Sequence, residues 1–175
     1  MDATLTNNEA KYVLGLERRL SHPPEKVWRL LTERELLKQW FPCDIEGDWK
    51  VGAPLRFEFL HGEGEGLPEE AMRGEVLAID PPRVLEFSWG DHVIRCELAA
   101  TADGCRLTLQ NIFDDPSWGA RNATGWEFCL DNLELILKGA AAAKFTVDVW
   151  GTKFEHYVGK FEPTHGKQQA MPEEK

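Results

Sequence analysis

The sequence predicts a single α+β domain, in which a curved antiparallel sheet of about six to seven strands wraps around one long C-terminal helix. Three observations carry this. From Trp49 to Phe113 the apolar side chains recur with a period of two, and the intervening connections are short turns. From Trp126 to Leu137 they recur at three- and four-residue steps, the signature of a helix with one apolar stripe. The length, 175 residues with 42% hydrophobic content, suits one ordinary domain and is short for two.

The elements follow in order. Tyr12 to Leu20 alternates apolar and polar side chains and predicts a half-buried strand, ended by Ser21-His22-Pro23-Pro24. Proline in a first helical turn loses no intrahelical bond, so a short helix is predicted over Glu25 to Leu31. Thr32 and Glu35 have capping-box spacing and predict a second short helix to about Trp40, halted by Phe41-Pro42. Five meander strands are predicted over 55–61, 73–79, 84–89, 93–98 and 105–113, with a mobile hairpin tip at the glycine-rich 61–66 and a tight turn at Asp103-Gly104. That turn sets Cys96 opposite Asn111. A capping-box spacing at Thr124 and Glu127 predicts the start of the long helix and Gly139 its end, with Glu127, Asp131, Glu134 and Lys138 facing water. One domain is expected over residues 1–161: a core at 12–139, then a docked extension at 140–161 with a strand-like lead and a short aromatic helix. Residues 162–175 are expected to form a disordered tail.

Composition narrows the function classes. A net charge of −10, with 20 basic residues dispersed among 30 acidic ones, offers no basic stripe for nucleic acid. Apolar runs stop far short of the roughly 20 residues that cross a bilayer, and Met1 to Ala10 carries no export signal. Cys43, Cys96, Cys105 and Cys129 are widely spaced with no CxxC pair, so neither a zinc site nor a disulfide framework is expected, and a reducing cytoplasm is the predicted compartment. No cofactor motif is present, and neither a metal-ligand spacing nor a nucleophile elbow is found.

In its order of strand, two short helices, antiparallel meander and long amphipathic helix, the chain resembles the START-like (SRPBCC) superfamily with its helix-grip architecture. Within it, Ser21-His22-Pro23-Pro24-Glu25-Lys26-Val27-Trp28, Gln39-Trp40-Phe41, Arg73-Gly74-Glu75-Val76, Asp80-Pro81-Pro82-Arg83 and Gly125-Trp126 resemble the homologue group of the activator of the ninety-kilodalton heat-shock protein ATPase. The likeness runs from about Tyr12 to Gly139 and corresponds to a single domain of that activator's C-terminal type. It implies a long helix lying across a concave sheet without filling it, which leaves an apolar pocket that opens near the second short helix.

Strand parity then supplies candidate lining residues. The apolar parity of each strand turns Phe57, Phe59, Phe87 and Trp89 inward, together with His61 and Asn111 as polar orienting groups at strand ends. The helix adds Trp126, Cys129 and Leu133, and Trp40 falls at the expected mouth. The function expected is binding of a small hydrophobic molecule without catalysis. Two alternatives stand beside it: a co-chaperone whose partner is a chaperone, and a cyclase- or aromatase-type enzyme in which His61 and Asn111 would move protons. The expected partners exclude nucleic acid and membrane, and the state is monomer or homodimer.

Overall fold

Where the apolar period is two the chain pairs into strands, and the computed structural model, which describes residues 2–60, 67–144 and 146–169, shows eight of them. They are β1 (Thr4–Asn8), β2 (Lys11–Leu20), β3 (Cys43–Glu46), β4 (Pro54–Phe59), β5 (Arg73–Asp80), β6 (Val84–Trp89), β7 (His92–Thr101) and β8 (Gly104–Phe113). All neighbours are antiparallel and the order is β1-β2-β8-β7-β6-β5-β4-β3. The two strands beyond the expected set, β1 and β3, are the sheet edges. Between β2 and β3 lie α1 (Pro24–Thr32) and α2 (Arg34–Leu37); after β8 come α3 (Gly119–Leu137) and α4 (Val147–His165).

Alternation sets the inner face. Leu55 and Phe57 of β4, Leu85 and Phe87 of β6, Ile94, Cys96 and Leu98 of β7, and Cys105, Leu107 and Leu109 of β8 are all buried. Trp126, Cys129 and Leu133 of α3 are buried with them, as the helical stripe requires. The β7–β8 hairpin turns at Ala102-Asp103, one residue earlier than expected, so Cys96 faces Leu109 and Asn111 faces Ile94. Gly104 carries a φ of +149°, and a Cβ there would sit 2.0 Å from the Leu20 carbonyl, which ties this turn to glycine. All four cysteines are buried, and none is in a disulfide.

Several local expectations are corrected by tertiary contacts. Thr32 forms no capping box: its hydroxyl donates to the Trp28 carbonyl at 2.9 Å, and α2 ends at Leu37 instead of Trp40. Likewise α3 begins at Gly119, five residues before Thr124, whose hydroxyl donates back to Ala120 O at 2.8 Å. The first-turn amide of Ala120 is capped instead by Gln168 Oε1 at 2.8 Å, and Gln168 is buried. A side chain at Gly119 would collide with both ends of this closure, its Cβ 2.7 Å from Leu5 and 3.1 Å from Gln168. Residues 162–169 are therefore no disordered tail; α4 runs to His165 and the segment after it folds onto α3. No strand precedes α4 among the described residues of 140–146, and Phe145 and the 61–66 tip lie outside the described residues.

The acidic side of α3 does not face open water either. It is covered by α4 and by β2: Lys153 reaches Glu127 at 2.6 Å and Asp131 at 3.1 Å, and Arg18 reaches Asp131 and Glu134 at 3.1 Å each. Burial opposes the charge on Lys153, but the two carboxylates hold its ammonium above the ordinary lysine range. Tyr157, fully buried, donates to Glu127 Oε2 at 2.5 Å and accepts the Ala3 amide at 3.0 Å. Burial first, then the contact with Glu127, push its hydroxyl well above the usual tyrosine range. Because Ala3 is itself shut off from solvent, Tyr157→Phe orphans its N–H and is expected to cost about 1–3 kcal/mol, read as a lower urea midpoint at unchanged slope.

Candidate functional site

Between the sheet and α3, phenylalanine and tryptophan side chains form a contiguous cluster within a core otherwise made largely of leucines such as Leu14, Leu16, Leu107, Leu130 and Leu133. Strand parity delivers Phe57 and Phe59 from β4 and Phe87 and Trp89 from β6. Phe57 stacks on Trp89 with ring centres 5.0 Å apart and on Phe87 at 6.0 Å, and Phe59 meets Trp89 at 5.8 Å. From α3, Trp126 meets the edge of Trp89 at 6.4 Å.

Phe41 closes this cluster, and sequence reasoning missed it as a site residue because Phe41-Pro42 was assigned only to stopping a helix. Its ring lies 5.6 Å from Trp40, 5.4 Å from Trp89 and 5.6 Å from Trp126, joining the α2 turn to β6 and α3. Trp49, also missed, packs on Phe87 at 5.7 Å while its Nε1 donates to the Thr32 carbonyl at 2.7 Å. Trp40, expected at the mouth, is buried, and its Nε1 donates to Leu30 O at 2.8 Å.

The rings nearly fill the interior. A space of about 10 Å³ remains, bordered among others by Trp40, Phe41, Trp49, Phe87, Cys96 and Trp126. That is room for one water, so the ligand-sized cavity expected from the sequence is not open in this conformation. Of the expected residues, Trp40, Phe87 and Trp126 border the space, while Phe57, Phe59 and Trp89 form the wall behind it. Cys129 and Leu133 continue the Trp126 face of α3, and His61 lies outside the described residues. Every bordering side chain is uncharged, and burial pushes the Cys96 thiol up to about 12, which keeps it protonated.

Two polar side chains meet at one edge of the cluster. Asn111, inward on β8 and buried, places Oδ1 3.0 Å from Nδ1 of His92, a residue not singled out from the sequence. The His92 ring stacks on Phe113 at 5.4 Å, and its Nε2 lies 3.6 Å from the Asp91 carboxylate. Among the described residues no group of His, Cys, Asp and Glu is placed to hold a metal ion, and no helix is long and apolar enough to cross a membrane.

The profile of one family, described as activator of Hsp90 ATPase homolog 1-like protein, matches residues 21–138. The chain belongs to this family. A search of curated proteins returned no match. Solved structures share the fold. A conserved protein of unknown function from Enterococcus faecalis is 24% identical over 92% of this chain and 91% of its own, with a TM-score of 0.72. CalU16 from Micromonospora echinospora is 20% identical over 90% of this chain and 94% of its own, with a TM-score of 0.66. A protein from Nitrosomonas europaea is 27% identical over 73% of this chain and 94% of its own, with a TM-score of 0.62. The family match begins one residue after β2 and ends one residue after α3, so β1, β2 and α4 lie outside the matched segment.

Proposed function

We propose that this domain binds a small, flat, hydrophobic molecule between the sheet and α3, in the place its own aromatic rings occupy when it is free. The observation that carries the proposal is the clustering of rings: Phe41, Phe57, Phe59, Phe87, Trp89 and Trp126, from four separate parts of the chain, form one contiguous cluster, and Phe41, Phe87 and Trp126 of it border the residual space. Aromatic side chains offer large flat contact area with few rotors, which suits a planar guest better than a leucine core does. In this assignment Trp40, Phe57, Phe59, Phe87, Trp89 and Trp126 surround the guest, while Cys129, Leu133 and Asn111 bound its far side; a role for His61 is carried over from strand parity alone. No chemical step is assigned, since the groups bordering the space include neither a carboxylate nor an imidazole to move a proton.

The test is titration with a neutral, environment-sensitive naphthalene dye. Saturable one-to-one binding with blue-shifted emission is expected. Trp126→Ala should change the dye affinity about two- to ten-fold, the loss of an aromatic contact, while far-ultraviolet circular dichroism stays that of the wild type. Absence of saturable binding, or an affinity indifferent to Trp126 in a folded variant, would overturn the assignment.

A further inference from the structure

Beside the ring cluster an amide donor is left over. Nδ2 of Asn122 is sealed from solvent and has no hydrogen-bond partner. Asn122 shares the sheet-facing side of α3 with Trp126, Cys129 and Leu133, at spacings of four, seven and eleven residues, and stands one turn nearer the helix start. That start is reached from Phe113 through residues 114–118, and the His92 ring lies flat against Phe113. Asn122 therefore occupies the same end of the layer as the His92–Asn111 pair. There Oδ1 of Asn111 is engaged by His92 Nδ1 at 3.0 Å, and the other half of the Asn111 amide is its NH₂. Trp89, paired with His92 across β6 and β7, links this edge to the ring cluster through its contact with Trp126.

Resting on the apolar-ligand assignment, we infer that the guest is an aromatic or polyenic molecule with an uncharged oxygen acceptor at one end, a ketone, aldehyde or ester carbonyl, received by Asn122 Nδ2 beside the Asn111 amide. Two features select a neutral acceptor over a carboxylate. The side chains around the space carry no charge, and the nearest guanidinium on α3, Arg121, lies over the Trp118 ring at 5.1 Å. A buried carboxylate without a cation is disfavoured, whereas a carbonyl asks only for a donor. Specificity built this way is strong because an analogue lacking the oxygen leaves the donor unpaired.

The experiment compares two probes of one shape, 6-acetyl-2-dimethylaminonaphthalene and its 6-ethyl counterpart, on the full chain. The ketone is expected to bind about ten-fold more tightly, with emission shifted by hydrogen bonding to its carbonyl. Asn122→Leu should abolish that preference by weakening the ketone while sparing the ethyl compound, and should not lower the melting temperature, since the donor it removes is unpaired. Asn122→Asp, nearly isosteric, should weaken the ketone as well and guards against a packing artefact in the leucine variant. Equal binding of the two probes, a preference that survives both substitutions, or tighter binding of 6-dimethylamino-2-naphthoate than of the ketone overturns the acceptor inference alone. Failure of both neutral probes to bind removes the apolar-ligand assignment and this inference with it.

Discussion

Phe41→Ala is expected to lower the free energy of unfolding by about 3–5 kcal/mol and at the same time to create affinity for a benzene-sized molecule. Phe41 is 4% exposed and touches rings from the α2 turn, β6 and α3, so truncation removes contacts on three sides. The existing space of about 10 Å³ borders the same side chain and would merge with the volume released. A cavity lined by leucine, phenylalanine and tryptophan stays dry and accepts an apolar guest. Urea denaturation measures the first effect, and stabilisation of the variant by benzene or indole measures the second. A small cost with no stabilisation by either compound would mean that the short α2 segment collapses into the gap, and Phe41 would then be ordinary packing.

Ending the chain after Ala143 is expected to do more damage than any single substitution. It removes Phe154, Tyr157 and Phe161, each buried against the body of the domain and each worth about 1.5–3 kcal/mol in transfer terms. It also removes Lys153 from Glu127 and Asp131, and Gln168 from the first turn of α3. Whole domains have only about 5–15 kcal/mol in hand, so the shortened chain, although it contains the entire family-matched segment, should lose cooperative unfolding. Calorimetry decides the matter: a sharp transition at the wild-type midpoint would show α4 to be an appendage and not part of the domain.

Those two outcomes also mark where the sequence was legible. The β6 alternation, Val84 to Trp89, is bounded by Arg83 and Gly90 and could be read to the residue, because period and turn chemistry agree there. The edges were not: β1 and β3 are four or five residues long, too short for a period to stand out, and each is a strand only because a neighbour supplies its partner. Thr124 and Glu127 mimic a helix start, yet the amide that needs a cap at Ala120 is met from Gln168, and no local pattern reports a partner 48 residues away. The same holds for the acidic face of α3, which looks solvated until Arg18 and Lys153 arrive from other elements. In the site, strand parity placed Phe57 and Phe87 inward and the helical stripe placed Trp126, but neither said how full the interior is. Packing density is a property of three-dimensional neighbours, and Phe41, the side chain that fills the gap, sits in a turn where no periodicity applies.

The link between the Ala3 amide and the Tyr157 hydroxyl spans 154 residues, and that span has a consequence for how the protein is made. On a ribosome adding about 5–20 residues per second, roughly 8–30 s pass between the emergence of β1 and that of the side chain that fastens it. For most of that interval Leu5 has no Gly119 to pack against and the leading edge strand hangs on unformed partners, since β2 itself waits for β8. Translation speed and access of holdase chaperones to the nascent chain should therefore affect the yield of this domain more than they affect one whose edge strands are closed by neighbours in sequence.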